Sequence, residues 1–321
     1  MKQSLQPKRT STRTQLESNV PTTNKDTQVP SAQSGSRFLI ILSLLSLYLL
    51  WGTTYLAMRV SLLGFPPFLM AAIRFLLAGS ILFAILRLRG APAPSRAQWI
   101  GSGLIGILLL AIGNGGVAFA EQWVSSGLAA VGVAAVPLWT ALFAGLLGRW
   151  PTRLEWFGLV LGFIGVMTLN FGNGMWATPL GAMALLLAPM GWAIGSVLSQ
   201  RVSLPAGMMS SATEMLVGGS VLVLMSLGLR ERAPNLTVVP ALWALVFLVI
   251  FGSLVAFSAY GYLLRHVRPA LATSYAYVNP MVAVGLGVLF VGEKLTALEI
   301  LAIMITLAGV VLVSIGRTRP R

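Results

Sequence analysis

Long apolar runs with short polar punctuation fill the chain from about residue 38 to about residue 315. Ten of these runs are about 18 to 24 residues long, and about 20 residues are needed to cross a bilayer as a helix. They fall near 38–58, 67–86, 99–120, 127–147, 154–171, 180–199, 208–229, 241–264, 270–291 and 297–315. The links between them are short, so consecutive helices are expected to be antiparallel neighbours. The pattern predicts an all-α integral membrane protein with ten transmembrane helices.

The pattern also repeats. Leu128-Ala129 matches Leu271-Ala272, Pro137 matches Pro280, Gly148 matches Gly292, Thr152 matches Thr296 and Leu154-Glu155 matches Leu298-Glu299. Earlier in each half, Leu50-Trp51-Gly52 aligns with Gly191-Trp192-Ala193, and the stretch from Arg74 to Ser80 aligns with that from Glu214 to Ser220. A repeat of five helices is odd in number, so the second copy is expected upside down relative to the first. The expected domains are a tail over 1–36 and two inverted five-helix repeats over 37–173 and 178–316. Inverted repeats put a symmetric pathway at their interface, which is a transporter's plan.

Composition sharpens this. Charged residues are 9 % and apolar residues 56 % of the chain, against roughly 25 % charge in a soluble domain. The net charge of +14 would suggest nucleic acid, but its distribution argues for membrane orientation instead. With both termini in the cytoplasm, only Arg59, Arg230, Arg232 and Lys294 face the other side, and Arg74 lies within a helix. No nucleic-acid partner is expected; the basic excess orients the chain and contacts anionic lipid. Residues 1–36 are rich in Ser, Thr and Gln with scattered Lys and Arg, a composition expected to stay disordered as a cytoplasmic tail. No cleavage site precedes Phe38, so the first helix is expected to remain as an anchor. The chain has no cysteine and a single histidine, His266, in a basic loop. No metal site and no cofactor are expected, and no GKS/T phosphate loop provides for ATP.

LWGTTYLAMR behind a basic tail, AAIRFLLAG in the second helix, LAAVGVAAVPLWTALFAGLL, and PMVAVGLGVLFVGEKLTALEILAIMITLAGVVL together resemble the EamA domains of the drug/metabolite transporter superfamily. The resemblance covers two tandem units over roughly residues 40–315. The first unit departs at its loop, reading GRWPT where the second reads GEKLT, with Arg149 in the glutamate position. The resemblance implies ten transmembrane helices, an inner (plasma) membrane location, no ATPase, and export or exchange of small metabolites such as amino acids.

Candidate site residues follow from depth. Pro137 and Pro280 lie about ten residues into their helices, about 15 Å deep in a roughly 30 Å core. Each is expected to bend its helix there. Asn279 stands beside the second bend, with Tyr275 one turn earlier on the same face. Tyr48, Trp51 and Tyr55 share a face of the first helix, and Trp192 and Ser196 share one of the sixth. Trp99, Trp123, Trp150, Trp156, Trp176 and Trp243 lie near helix ends, where an aromatic belt accounts for them. Trp51 and Trp192 lie deeper, as cavity lining or as core. Asn114 sits in a glycine-flanked break, Gly113-Asn114-Gly115-Gly116. Gly158–Gly162 and Gly191–Gly195 fit close helix packing.

Arg74 and Glu214 are the clear intramembrane charges, and such residues are functional by default. Their depths place them on opposite sides of the midplane, so separate roles are expected rather than an ion pair. Arg74 would meet a substrate carboxylate or a carbonyl cluster. Glu214 would carry a coupling proton or meet a substrate ammonium. For each, a structural hydrogen-bonding role is the alternative.

A secondary transporter that exports or exchanges a small metabolite, amino-acid-like or another small organic solute, fits best. A passive channel or facilitator uses the same repeat. An intramembrane enzyme has little behind it, with no paired carboxylates and no metal-ligand cluster. The substrate, the direction, the coupling ion and the oligomeric state, homodimer included, are open at this point.

Overall fold

A chain in lipid must satisfy its own backbone N–H and C=O groups, which forces the apolar runs into helices. The computed structural model describes residues 36–123, 126–169, 179–286 and 297–315. The tail up to residue 35, Trp176, the 292–296 motif and the arginines beyond residue 315 lie outside the described residues. Within them all regular structure is helical. The helices are α1 (Arg37–Ser61), α2 (Pro67–Leu88) and α3 (Arg96–Ala120), then α4 (Ser126–Val133), α5 (Val136–Leu146) and α6 (Arg153–Leu169). There follow α7 (Pro179–Leu198), α8 (Met208–Gly228) and α9 (Val239–His266), then α10 (Pro269–Ala272), α11 (Tyr275–Leu286) and α12 (Ala297–Ile315). Six of them (α1, α2, α3, α7, α8 and α9) are long and apolar enough to cross a membrane.

The spans expected over 127–147 and 270–291 differ from simple proline-bent helices. The first is interrupted at Ala134 and Ala135, ahead of the proline. Pro137 then occupies the second position of α5, where a missing N–H has no helical partner to lose. The second is interrupted at Thr273 and Ser274, while Pro280 is accommodated inside α11. The hydroxyls there bond back to the preceding turn, Thr273 Oγ1 donating to Pro269 O (2.9 Å) and Ser274 Oγ to Leu271 O (2.8 Å), alongside the backbone bonds that those carbonyls accept. The two interruptions are therefore not equivalent in the repeat.

Three stretches are wound wider than an α-helix: Leu47–Trp51 in α1, Ile107–Asn114 in α3 and Leu248–Val255 in α9. Such turns shift the side-chain register and concentrate at functional sites. The spacing that superposes Trp51 on Trp192 also carries Ile107–Asn114 onto Leu248–Val255.

Packing pairs α1 with α9 and α11, and α7 with α3 and α5. It also pairs α2 with α8 and α6 with α12. Gly158 of α6 meets the Gly309 backbone of α12, and Gly162 meets the Tyr277 ring. Polar glue joins α3 to α8, where Ser102 and Thr213 share a 2.7 Å hydrogen bond. The one ion pair among the described residues, Arg268 to Glu155 at 2.8 Å, ties the start of α10 to that of α6. Glu155 also closes a capping box with Thr152, accepting from Thr152 N at 2.7 Å. His266 ends α9 rather than standing in a loop, its ring stacked on Tyr262. Outward faces are apolar, as at Leu224, Leu227 and Phe157, and the interior packs alanine, leucine and aromatic side chains with buried serines and threonines among them.

Candidate functional site

The wide turn at the end of Leu47–Trp51 sets Trp51 into the interior, and α1 then presents Thr54, Tyr55 and Met58 on the same face. These residues form one wall of a partly open cavity whose empty space, its open mouth included, is about 470 Å³. Opposite stand Gly113, Asn114 and Val117 of α3, where a second wide turn ends. Ala188, Pro189 and Trp192 of α7 form a third wall, and Tyr275 and Asn279 of α11 a fourth. Val133 and Val136 flank the interruption between α4 and α5, and Arg74 enters from α2.

Trp51 is the aromatic hub. Its ring lies 4.6 Å from Tyr275 and 5.5 Å from Trp192, both edge-on, and 5.2 Å from Tyr260. Its Nε1 donates to Gly252 O (3.0 Å), a carbonyl in the third wide turn. Trp192 Nε1 donates to Tyr260 Oη (2.9 Å), which is also bonded to Ser196 Oγ (2.6 Å). Close approach depends on glycine at two points. A Cβ on Gly113 would lie 2.7 Å from the Trp192 ring, and one on Gly252 would lie 2.9 Å from Arg74 Nη2.

Arg74 is 2 % exposed and makes no ion pair with a carboxylate among the described residues. Its Nε donates to Ser253 Oγ (2.7 Å), its Cζ stands 4.8 Å from the Phe75 ring centroid, and its Nη1 has no hydrogen-bond partner. Asn279 is 1 % exposed and its amide lies beside the Tyr55 hydroxyl without a hydrogen bond of good geometry, and Asn114 Oδ1 is buried and unpartnered among the described residues. The cavity thus presents one cation and two amides with unused hydrogen-bonding capacity among aromatic rings.

Of the residues expected from sequence, Trp51, Tyr55, Arg74, Asn114, Trp192, Tyr275 and Asn279 converge on this cavity. Tyr48, Ser196 and Glu214 stand outside its lining. Tyr48 Oη bonds Ser274 Oγ (2.8 Å) at the break between α10 and α11. Ser196 supports Tyr260 from behind. Glu214 accepts from Ser210 Oγ (2.6 Å) within α8 and makes no ion pair with Arg74. Thr54, Met58 and Pro189 were not singled out, being indistinguishable in sequence from packing residues. Nor was Glu121, fully buried one turn beyond Val117 with both carboxylate oxygens unpartnered. Arg59 donates to the backbone carbonyl of Glu121 instead. Glu121 stands just beyond the apolar run expected over 99–120, where hydropathy carries no signal of burial.

Two segments of the chain, residues 38–171 and 179–315, match the model of the EamA-like transporter family. The chain belongs to that family. A relative in Escherichia coli (strain K12), the uncharacterized inner membrane transporter YedA, is 46 % identical over 276 residues, covering 86 % of this chain and 90 % of the relative. Protein PecM of Dickeya dadantii is 28 % identical over 267 residues, covering 82 % and 88 %. A solved crystal structure aligns with TM-score 0.69 at 20 % identity over 87 % of this chain and 99 % of the other, a likeness that speaks for the fold alone. Membership in a transporter family, with six long apolar helices, makes this a multi-pass membrane protein whose partners are a small-molecule substrate and lipid. In this EamA-like chain the cavity is shared between the matched segments: Trp51, Arg74 and Asn114 come from the first, Trp192, Tyr275 and Asn279 from the second.

Proposed function

We propose that this chain is a secondary transporter that exports or exchanges a small organic solute across the inner membrane. It works by alternating access between two inverted five-helix repeats, ten spans in all, with both termini in the cytoplasm. The observation that carries the reading is the cavity itself: drawn from both halves, and lined by Arg74 and Asn114, each with a buried polar atom that has no hydrogen-bond partner among the described residues. In a resting core such atoms are costly, and a solute that bonds them repays the cost.

The pairing of helices supports the symmetry. Exchanging α1 with α7, α2 with α8, α3 with α9, the α4–α5 pair with α10–α11, and α6 with α12 turns the contacts of α1 with α9 into those of α7 with α3. The same exchange leaves α2–α8 and α6–α12 in place as self-paired elements on the axis. Two packings of equal kind on either side of one cavity are what alternating access requires. The test is counterflow in proteoliposomes: labelled solute outside should accumulate transiently against unlabelled solute inside, with saturation. Linear, unsaturable flux would make the protein a passive facilitator and end the alternating-access reading.

A further inference from the structure

We propose that the solute carries a single carboxylate and that Arg74 is its counter-ion in the cavity. The inference rests on the transport reading only for the choice of cavity. Arg74 is 2 % exposed, lines the space, and faces no acidic side chain there. Ser253 on α9 holds Nε by a 2.7 Å bond, which leaves Nη1 unpartnered. A guanidinium offers a planar fork that matches a carboxylate. The cation is held at Nε and has no carboxylate partner among the described residues, the arrangement of a docking group rather than of a structural pair.

The remaining lining sets the rest of the solute. Trp51, Trp192 and Tyr275 supply apolar faces for a carbon skeleton. The Asn279 and Asn114 amides offer donors and acceptors for one neutral polar substituent. A single cation balances a single negative charge. A phosphate ester or a dicarboxylate would bring a second buried charge with no partner in the lining, which is strongly disfavoured. Glu121, the nearest buried carboxylate along α3, lies a turn beyond the lining and leaves Arg74 free.

The experiment uses the full chain in detergent and a matched panel of probes. Skeletons of three to nine carbons, straight-chain and phenyl-bearing, are each presented as carboxylate, amino acid, primary amine and alcohol. Thermal-shift titration is expected to find hits only among probes with a carboxylate. Arg74→Gln should weaken those hits at least about thirtyfold, the scale of an uncompensated buried charge. Arg74→Lys, which keeps the charge if Arg74→Gln does not fold, should weaken them about tenfold. Ser253→Ala, which keeps the guanidinium but not its aim, should weaken carboxylates several-fold. Hits that are amines or alcohols alone, carboxylate hits undiminished in these variants, or no carboxylate hit at all would each overturn the assignment. Counterflow of the same probes separates the two readings. Carboxylates that bind through Arg74 without counterflow would leave the site standing and remove transport. Counterflow of amines untouched by Arg74→Gln would do the reverse.

Discussion

At the scale of single residues, the cavity is built from side chains whose neighbours are set by depth. Trp51 and Trp243 show the contrast: the first is 6 % exposed and the second 70 % exposed. Sequence separated them by their distance from the helix ends, and that distinction holds because an indole N–H needs a partner inside and finds one freely at the interface. Trp51→Phe removes the donor to Gly252 O, a carbonyl in a wide turn. The variant should lose about 1 kcal/mol of stability, the scale of a buried hydrogen bond. Trp243→Phe should lose nothing measurable. Thermal unfolding of the two in the same detergent checks this, and equal losses would mean that the bond to Gly252 O contributes nothing measurable. Polar and aromatic residues deep in helices were legible for the same reason: Arg74, Asn114 and Asn279 are expensive in lipid and so must turn inward. Met58, Val133 and Ala188 were not legible, because an apolar residue facing a cavity and one facing a lipid tail satisfy the same pattern.

At the scale of elements, helix existence was readable and helix winding was not. A 20-residue apolar run forces a helix, but a wider turn needs only one extra residue per bond and leaves no mark on hydropathy. The glycine cluster around Asn114 pointed to a break, and the structure has a wide turn there instead. Helix ends tell more. Gly90 after α2 has φ 84°, and Arg230 after α8 has φ 53°, the two occupying matching places in the repeat. Each is followed by the same long-range closure, Ala91 N to Leu86 O and Glu231 N to Ser226 O, both 3.0 Å. This is a helix stop that favours glycine in the left-handed region. Arg230 is the non-glycine residue that bears the strain among the described residues. Arg230→Gly should therefore stabilise the protein, by about 0.5–1 kcal/mol after the greater freedom of unfolded glycine is subtracted. A lower melting temperature for the variant would mean that the arginine side chain contributes more than its backbone costs.

At the scale of the whole molecule, the proposed orientation rests on the odd number of helices proposed for each repeat. The residues around Gly90 and Arg230 end equivalent helices with equivalent backbone turns, yet five spans between them would place the two turns on opposite sides of the membrane. Local structure is blind to this, since both turns carry arginines: Arg87, Arg89 and Arg96 near one, Arg230 and Arg232 near the other. The decision comes from the remaining basic residues, which gather with Gly90 when both termini are cytoplasmic. A phosphatase or fluorescent reporter inserted at Gly90 should accordingly report cytoplasm, and one inserted at Arg230 the opposite face. Both turns on one side would require an even number of spans between them and would dismantle the inverted repeat. The cavity would then lose its symmetry argument, and with it the reason to expect one packing to open inward and its counterpart outward. Opposite sides with the signs reversed would keep the repeat and the cavity, and would overturn only the assignment of the termini.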